Sequence, residues 1–129
     1  MTTKQKDYQI LYNDARLAGL EAGQKACPTP MIVGQPTTLF GNEIDYSKPT
    51  YHVASGVCGF AWVVVRPGNC SFAVWARKAG LAKKDYYGGV SFWVSDFGQS
   101  MERKEAYAHA FANRLSVAGI KAYAQSRMD

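Results

Sequence analysis

Aromatic and basic side chains fall at alternate positions in three strand-like stretches of this chain. The first is CGFAWVVVR, with Phe60, Trp62 and Arg66; the second, VSFWVS, carries Trp93; the last holds Lys121, Tyr123 and Arg127. In an extended chain, alternate residues point to the same side. If the three stretches pair in one sheet, their rings and cations meet on one face. Rings stack on bases of any sequence while cations meet phosphate, so this chemistry is suited to unpaired nucleic acid. The segment Gly89-Val90-Ser91-Phe92-Trp93-Val94 does not place its aromatics as the RNA-recognition strand motif does.

A second candidate is the turn Arg66-Pro67-Gly68-Asn69-Cys70-Ser71, between a strand and a helix start. Arg66, Asn69, Cys70 and Ser71 lie where free backbone N–H groups and a helix dipole favour an anion such as a small nucleotide. The same dipole makes a Cys70 thiolate easier to form. No glycine cradle surrounds the turn, and no histidine or acid nearby in sequence completes a catalytic pair. A third candidate is the contact hairpin formed by Lys83, Lys84, Tyr86 and Tyr87.

The remaining reactive residues do not assemble into a catalytic set. His52 and His109 are the only histidines, and Asp96 with Glu102 does not form a recognisable carboxylate pair. Cys27, Cys58 and Cys70 are odd in number and lack a CxxC spacing, which argues against a disulfide framework and a structural zinc. The expectation is a non-enzymatic binding protein with no metal and no cofactor.

With 129 residues the chain has the size of one domain, and 47% apolar content is a globular value. A net charge of +5 favours anionic partners, although no run of lysine or arginine occurs. The N-terminus lacks the apolar stretch of a signal peptide, and no apolar run approaches the length of a membrane span. A cytoplasmic protein with no membrane partner is expected.

These side chains need elements to position them. Residues 5–26 recur in apolar or small type every three or four positions and predict a helix. Its Gly19 and Gly23 lower intrinsic propensity, so packing must hold it. Residues 31–55 read as a long loop with short strands near Met31–Val33 and Tyr51–Ala54. The second half then runs strand (58–66), a helix capped by Asn69 or Ser71 and running to Ala79, strand (81–87), a two-residue Gly88-Gly89 turn, strand (90–95), helix (101–118, capped by Ser100) and strand (120–125). The polar start of the long helix, Glu102-Arg103-Lys104-Glu105, suits a solvated first turn.

That order is the split βαβ pattern of the ferredoxin-like fold, an α+β sandwich with four antiparallel strands and two helices on one face. The expected division is a single domain, residues 1–129, with an N-terminal helix and irregular extension (1–55) before the ferredoxin-like core (56–129). Ala61, Val63, Val65, Val90, Phe92, Val94, Ile120, Ala122 and Ala124 should face the helices. Phe60, Trp62, Arg66, Trp93, Lys121, Tyr123 and Arg127 take the other side. The N-terminal helix also has a stripe to bury, and the free sheet face is the expected place for it. A binding platform and a self-association surface are the competing uses of that face.

The stretches 56–69, 83–100 and 102–129, with PTPMIV at 28–33, resemble small uncharacterised proteins encoded by tailed bacteriophages. The resemblance implies a phage accessory protein working in a bacterial cytoplasm, and it assigns no residue a role. The leading expectation is therefore a phage protein that binds nucleic acid, single-stranded, through an aromatic and basic sheet face. The alternatives are a protein-interaction module, assembling with itself or inhibiting a host protein, and a binder of a small anionic nucleotide.

Overall fold

The computed structural model describes residues 3–26, 31–33, 51–53 and 58–128. Its elements are α1 (Thr3–Lys25), β1 (Met31–Val33), β2 (Tyr51–Val53), β3 (Gly59–Val65), α2 (Ser71–Lys78), β4 (Lys83–Lys84), β5 (Val90–Trp93), α3 (Met101–Val117) and β6 (Ala122–Met128). Four strands form an antiparallel sheet in the order β4-β5-β3-β6, and β1 pairs with β2 in a separate two-stranded sheet. The described residues form an α+β arrangement with three helices and an open four-stranded sheet.

Alternation along β3 and β5 creates two unlike faces. Ala61, Val63, Val65, Val90, Phe92 and Val94 are buried among residues of all three helices, as the sequence predicts. From α2 come Phe72, Ala73 and Ala76, and from α3 come Tyr107, Ala108, Phe111, Ala112 and Leu115. Ring contacts join the layers: Phe92 lies 5.3 Å from Phe111 and 5.9 Å from Phe72, centroid to centroid. Contacts at these spacings add directional stability to the area buried.

The N-terminal helix does not take the place expected for it. Tyr8 of α1 packs edge-on against Phe72, and Tyr12 contacts Phe92 and Phe111. α1 is thus a third member of the helical layer, leaving the other sheet face without a covering α1. Its small residues explain the fit. A Cβ on Gly19 would come within 2.9 Å of the Tyr107 ring, and one on Gly23 would collide with the Phe97 ring. The stripe Ala15-Gly19-Gly23 is a groove for two large rings from the C-terminal half. Arg16 adds a polar tie, donating to Asp96 at 3.3 Å and to the Tyr107 hydroxyl at 3.2 Å. Arg114 pairs with Asp14 at 3.4 Å further along.

Three local expectations need correction. The second core strand shrinks from 81–87 to Lys83–Lys84, and the turn before β5 is longer than Gly88-Gly89. The Asp85 carboxylate accepts from the Tyr87 N–H at 3.1 Å, and the Gly88 N–H donates back to the Asp85 carbonyl at 3.2 Å. The chain therefore turns from Asp85, and Gly88 and Gly89 close the loop at positive φ. Helix α2 is capped at Cys70, without a side-chain hydrogen bond, and neither Asn69 nor Ser71 caps it. By contrast, Ser100 caps α3 as expected, accepting from the Arg103 N–H. The last strand begins at Ala122 and continues to Met128, beyond the predicted end at Gln125.

Candidate nucleic-acid interface

Strand register sets the candidate face. Trp62 pairs with Trp93 on one side and Gln125 on the other, while Phe60 pairs with Arg127 and Val64 with Tyr123 and Ser91. Directly opposed residues share a face, so Phe60, Trp62, Trp93, Tyr123, Gln125 and Arg127 all point away from the helical layer. Lys83 opposes Ser91 and adds a cation at the β4 edge.

The rings form a continuous surface. Trp62 and Trp93 stack with planes 8° apart and centroids 5.7 Å apart, and Phe60 lies 5.5 Å from Trp93. The Trp62 indole N–H donates to the Gln125 side-chain oxygen at 3.1 Å, which fixes the ring. Trp93 is 56% and Tyr123 50% exposed. These two present open ring surface, and the half-buried Phe60 and Trp62 support Trp93. A ring already held in place loses little further freedom when a base stacks on it.

Two cations approach the Phe60 ring. Arg127 lies 5.8 Å from its centroid, and the Lys104 ammonium lies 5.3 Å away. Lys104 is the residue that the sequence reading missed. It belongs to the polar start of α3, expected in solvent, yet the residue is only 4% exposed. The signal was present in the helix period. Lys104, Tyr107, Ala108, Phe111 and Leu115 lie on one stripe, and the stripe extends one turn further back than its apolar members.

Arg66 is engaged differently from the other predicted cations. Its Nε donates to the Gly88 carbonyl at 3.0 Å and its guanidinium pairs with Asp85 at 3.5 Å. It braces the β4–β5 hairpin, with its charge matched by Asp85. Lys121 is exposed just before β6. Asp85 pairs with Arg66, Asp96 with Arg16, and Glu105 accepts from the Ser126 hydroxyl, so these carboxylates are held by neighbouring groups.

The other candidates separate in space. At the turn, Cys70 is partly buried and Asn69 and Ser71 are exposed, while Arg66 faces the hairpin. At the hairpin tip, Tyr86 and Tyr87 are 91% and 82% exposed and pack edge-to-face on each other at 4.9 Å. Lys83 and Lys84 are exposed beside them. Among the described residues, no three His, Cys, Asp or Glu side chains converge to hold a metal ion. No described helix is long and apolar enough to cross a membrane.

Comparison with protein-family models, with curated proteins and with solved structures returned no match.

Proposed function

We propose that this chain is a non-enzymatic protein that binds single-stranded nucleic acid on the outer face of its sheet. The observation that carries the reading is the stacked Trp62–Trp93 pair extended by Phe60, with Trp93 and Tyr123 half exposed beside it. Bases would stack on Trp93 and Tyr123, and phosphates would meet the exposed Arg127, Lys121 and Lys83. The strand order β4-β5-β3-β6, with α2 and α3 between consecutive core strands, supports the finer reading of residues 56–129 as a ferredoxin-like unit. The setting proposed for it is that of a phage accessory protein in a bacterial cytoplasm.

The test is fluorescence anisotropy of labelled single-stranded oligonucleotides, DNA and RNA, across a salt series. Binding should weaken along a log–log line, each phosphate contact contributing a slope of about −0.7 for a single strand. Affinity that does not respond to salt, or no binding at low salt, sinks the proposal.

The exposed Tyr86–Tyr87 pair favours a second reading, a protein-contact hairpin for another copy or a host protein. Under that reading Tyr86→Ser with Tyr87→Ser would abolish an oligomer seen by light scattering, or recovery of the host protein. Oligonucleotide binding would be unchanged.

A further inference from the structure

A cleft of about 630 Å³ lies on the helical side of the molecule, between the start of α1 and α2. Its size is within the usual range for small-molecule sites. Tyr8 and Trp75 line it, their rings 5.9 Å apart and inclined at 48°. The charged groups of its lining are Lys4 and Lys78, with no carboxylate among the described residues that form it. The Lys4 ammonium stands 5.9 Å from the Tyr8 ring centroid. Asn69 and Ser71 bring the polar end of the cleft to the start of α2, where Cys70 supplies no side-chain cap.

Apolar ring walls with cations and no opposing acid select for one kind of ligand. A neutral apolar molecule leaves the cations unused, and a bare anion leaves the rings unused. Neither Trp93 nor Tyr123 lines the cleft, so it is independent of the sheet face. Arg66 does not line it either, which moves the small-anion site away from the arginine and onto α1 and α2.

We infer that this cleft binds a planar aromatic anion of nucleotide size, its ring against Trp75 and Tyr8 and its charge at Lys4 and Lys78. A nucleoside monophosphate and an aryl carboxylate share that chemistry.

Calorimetric titration with AMP and with 1-naphthoate separates the two sources, and adenosine and inorganic phosphate supply the fragments. At least one of the two anions should bind with micromolar to millimolar affinity. AMP alone identifies a phosphate, 1-naphthoate alone a carboxylate, and both together the shared chemistry. Each fragment should bind about tenfold or more weakly than its parent, because ring and charge both contribute. Lys4→Glu with Lys78→Glu changes exposed residues and should lose about tenfold or more in affinity. Trp93→Ala should change nothing in this titration. The inference is overturned if neither anion binds at millimolar concentration. It is equally overturned if adenosine matches AMP, if the lysine variant retains full affinity, or if Trp93→Ala removes the signal.

Discussion

Phe92 and Trp93 are adjacent in β5, yet they face different environments. Phe92 is 5% exposed and touches rings from three helices: Tyr12, Phe72 and Phe111. Trp93 is 56% exposed and stacks on Trp62. The inner face surrounds its rings with alanine and valine. The outer face places Arg127 and Lys104 at the Phe60 ring. Aromatic residues thus do two jobs on one sheet, and neighbours distinguish them: small apolar residues let rings interlock, whereas cations keep ring surface beside charge.

The largest expected effect tests the inner side of that comparison. Phe92→Ala removes a buried ring from the junction of three helices and should cost about 3–5 kcal/mol of stability. A shift of the urea midpoint with unchanged slope measures it. A loss below about 1 kcal/mol, small for any buried large-to-small change, would show that the helical layer does not depend on this junction.

Trp93→Ala is the matched change on the outer side. Its ring is half in water already, so the stability loss should be far smaller than for Phe92→Ala. Oligonucleotide affinity should instead fall by about 1–3 kcal/mol, the usual value of one base–aromatic stack. If Trp93→Ala destabilises the fold as much as Phe92→Ala and leaves binding intact, the outer cluster is structural and the proposed function falls.

The two faces were legible in advance because burial alternates through β5 and from Gly59 to Val63 in β3, although Val64 on the outer side is also fully buried. Phe60 and Trp62 alternate with Ala61, Val63 and Val65, and once β3 and β5 pair, their outer residues must meet. The position of α1 was not legible. Its buried residues Ala15, Gly19 and Gly23 are small, and a small-residue stripe fits a sheet or a helix pair equally well. What decides the matter is Tyr107 and Phe97, whose rings lie against the glycines from distant parts of the chain. The β4–β5 hairpin misled for a local reason. Gly88-Gly89 matches a two-residue turn, but the Asp85 side chain starts the turn earlier by taking the Tyr87 N–H. The pairing of Arg66 was not legible either, because Asp85, the partner that holds it, lies nineteen residues away in sequence.

Lys104 sharpens the comparison, since it starts from the helical layer and brings its charge to Phe60 on the opposite side. Lys104→Met replaces it with an apolar chain of similar length, so stability should stay level or rise slightly, as when other buried charges are replaced by apolar groups. If the ammonium meets a phosphate, the salt slope of oligonucleotide binding should become shallower by about 0.7. An unchanged slope and affinity would confine Lys104 to a packing role and leave Arg127, Lys121 and Lys83 as the cations of the face.

The smallest effect concerns Tyr107, whose hydroxyl lies inside the inner cluster. Burial pushes its pKa above the ordinary tyrosine value by disfavouring the phenolate, while the nearby Arg16 charge pulls the other way without cancelling the shift. The folded state therefore holds this proton more tightly than the unfolded chain does. The resulting stability is fully present below the unfolded value, about 10. It is lost as pH rises from there through the higher folded value. Tyr107→Phe keeps the ring against Gly19 and removes the titrating group, at a cost of about 1 kcal/mol for the hydrogen bond from Arg16. Urea midpoints for both proteins, measured between neutral pH and the tyrosine range, isolate this residue from other groups that titrate there. The wild-type curve should fall more steeply above the unfolded value, so that the gap between the proteins narrows. Parallel curves would mean that water reaches the Tyr107 hydroxyl, and that the contact between α1 and α3 is less closed than the inner face requires.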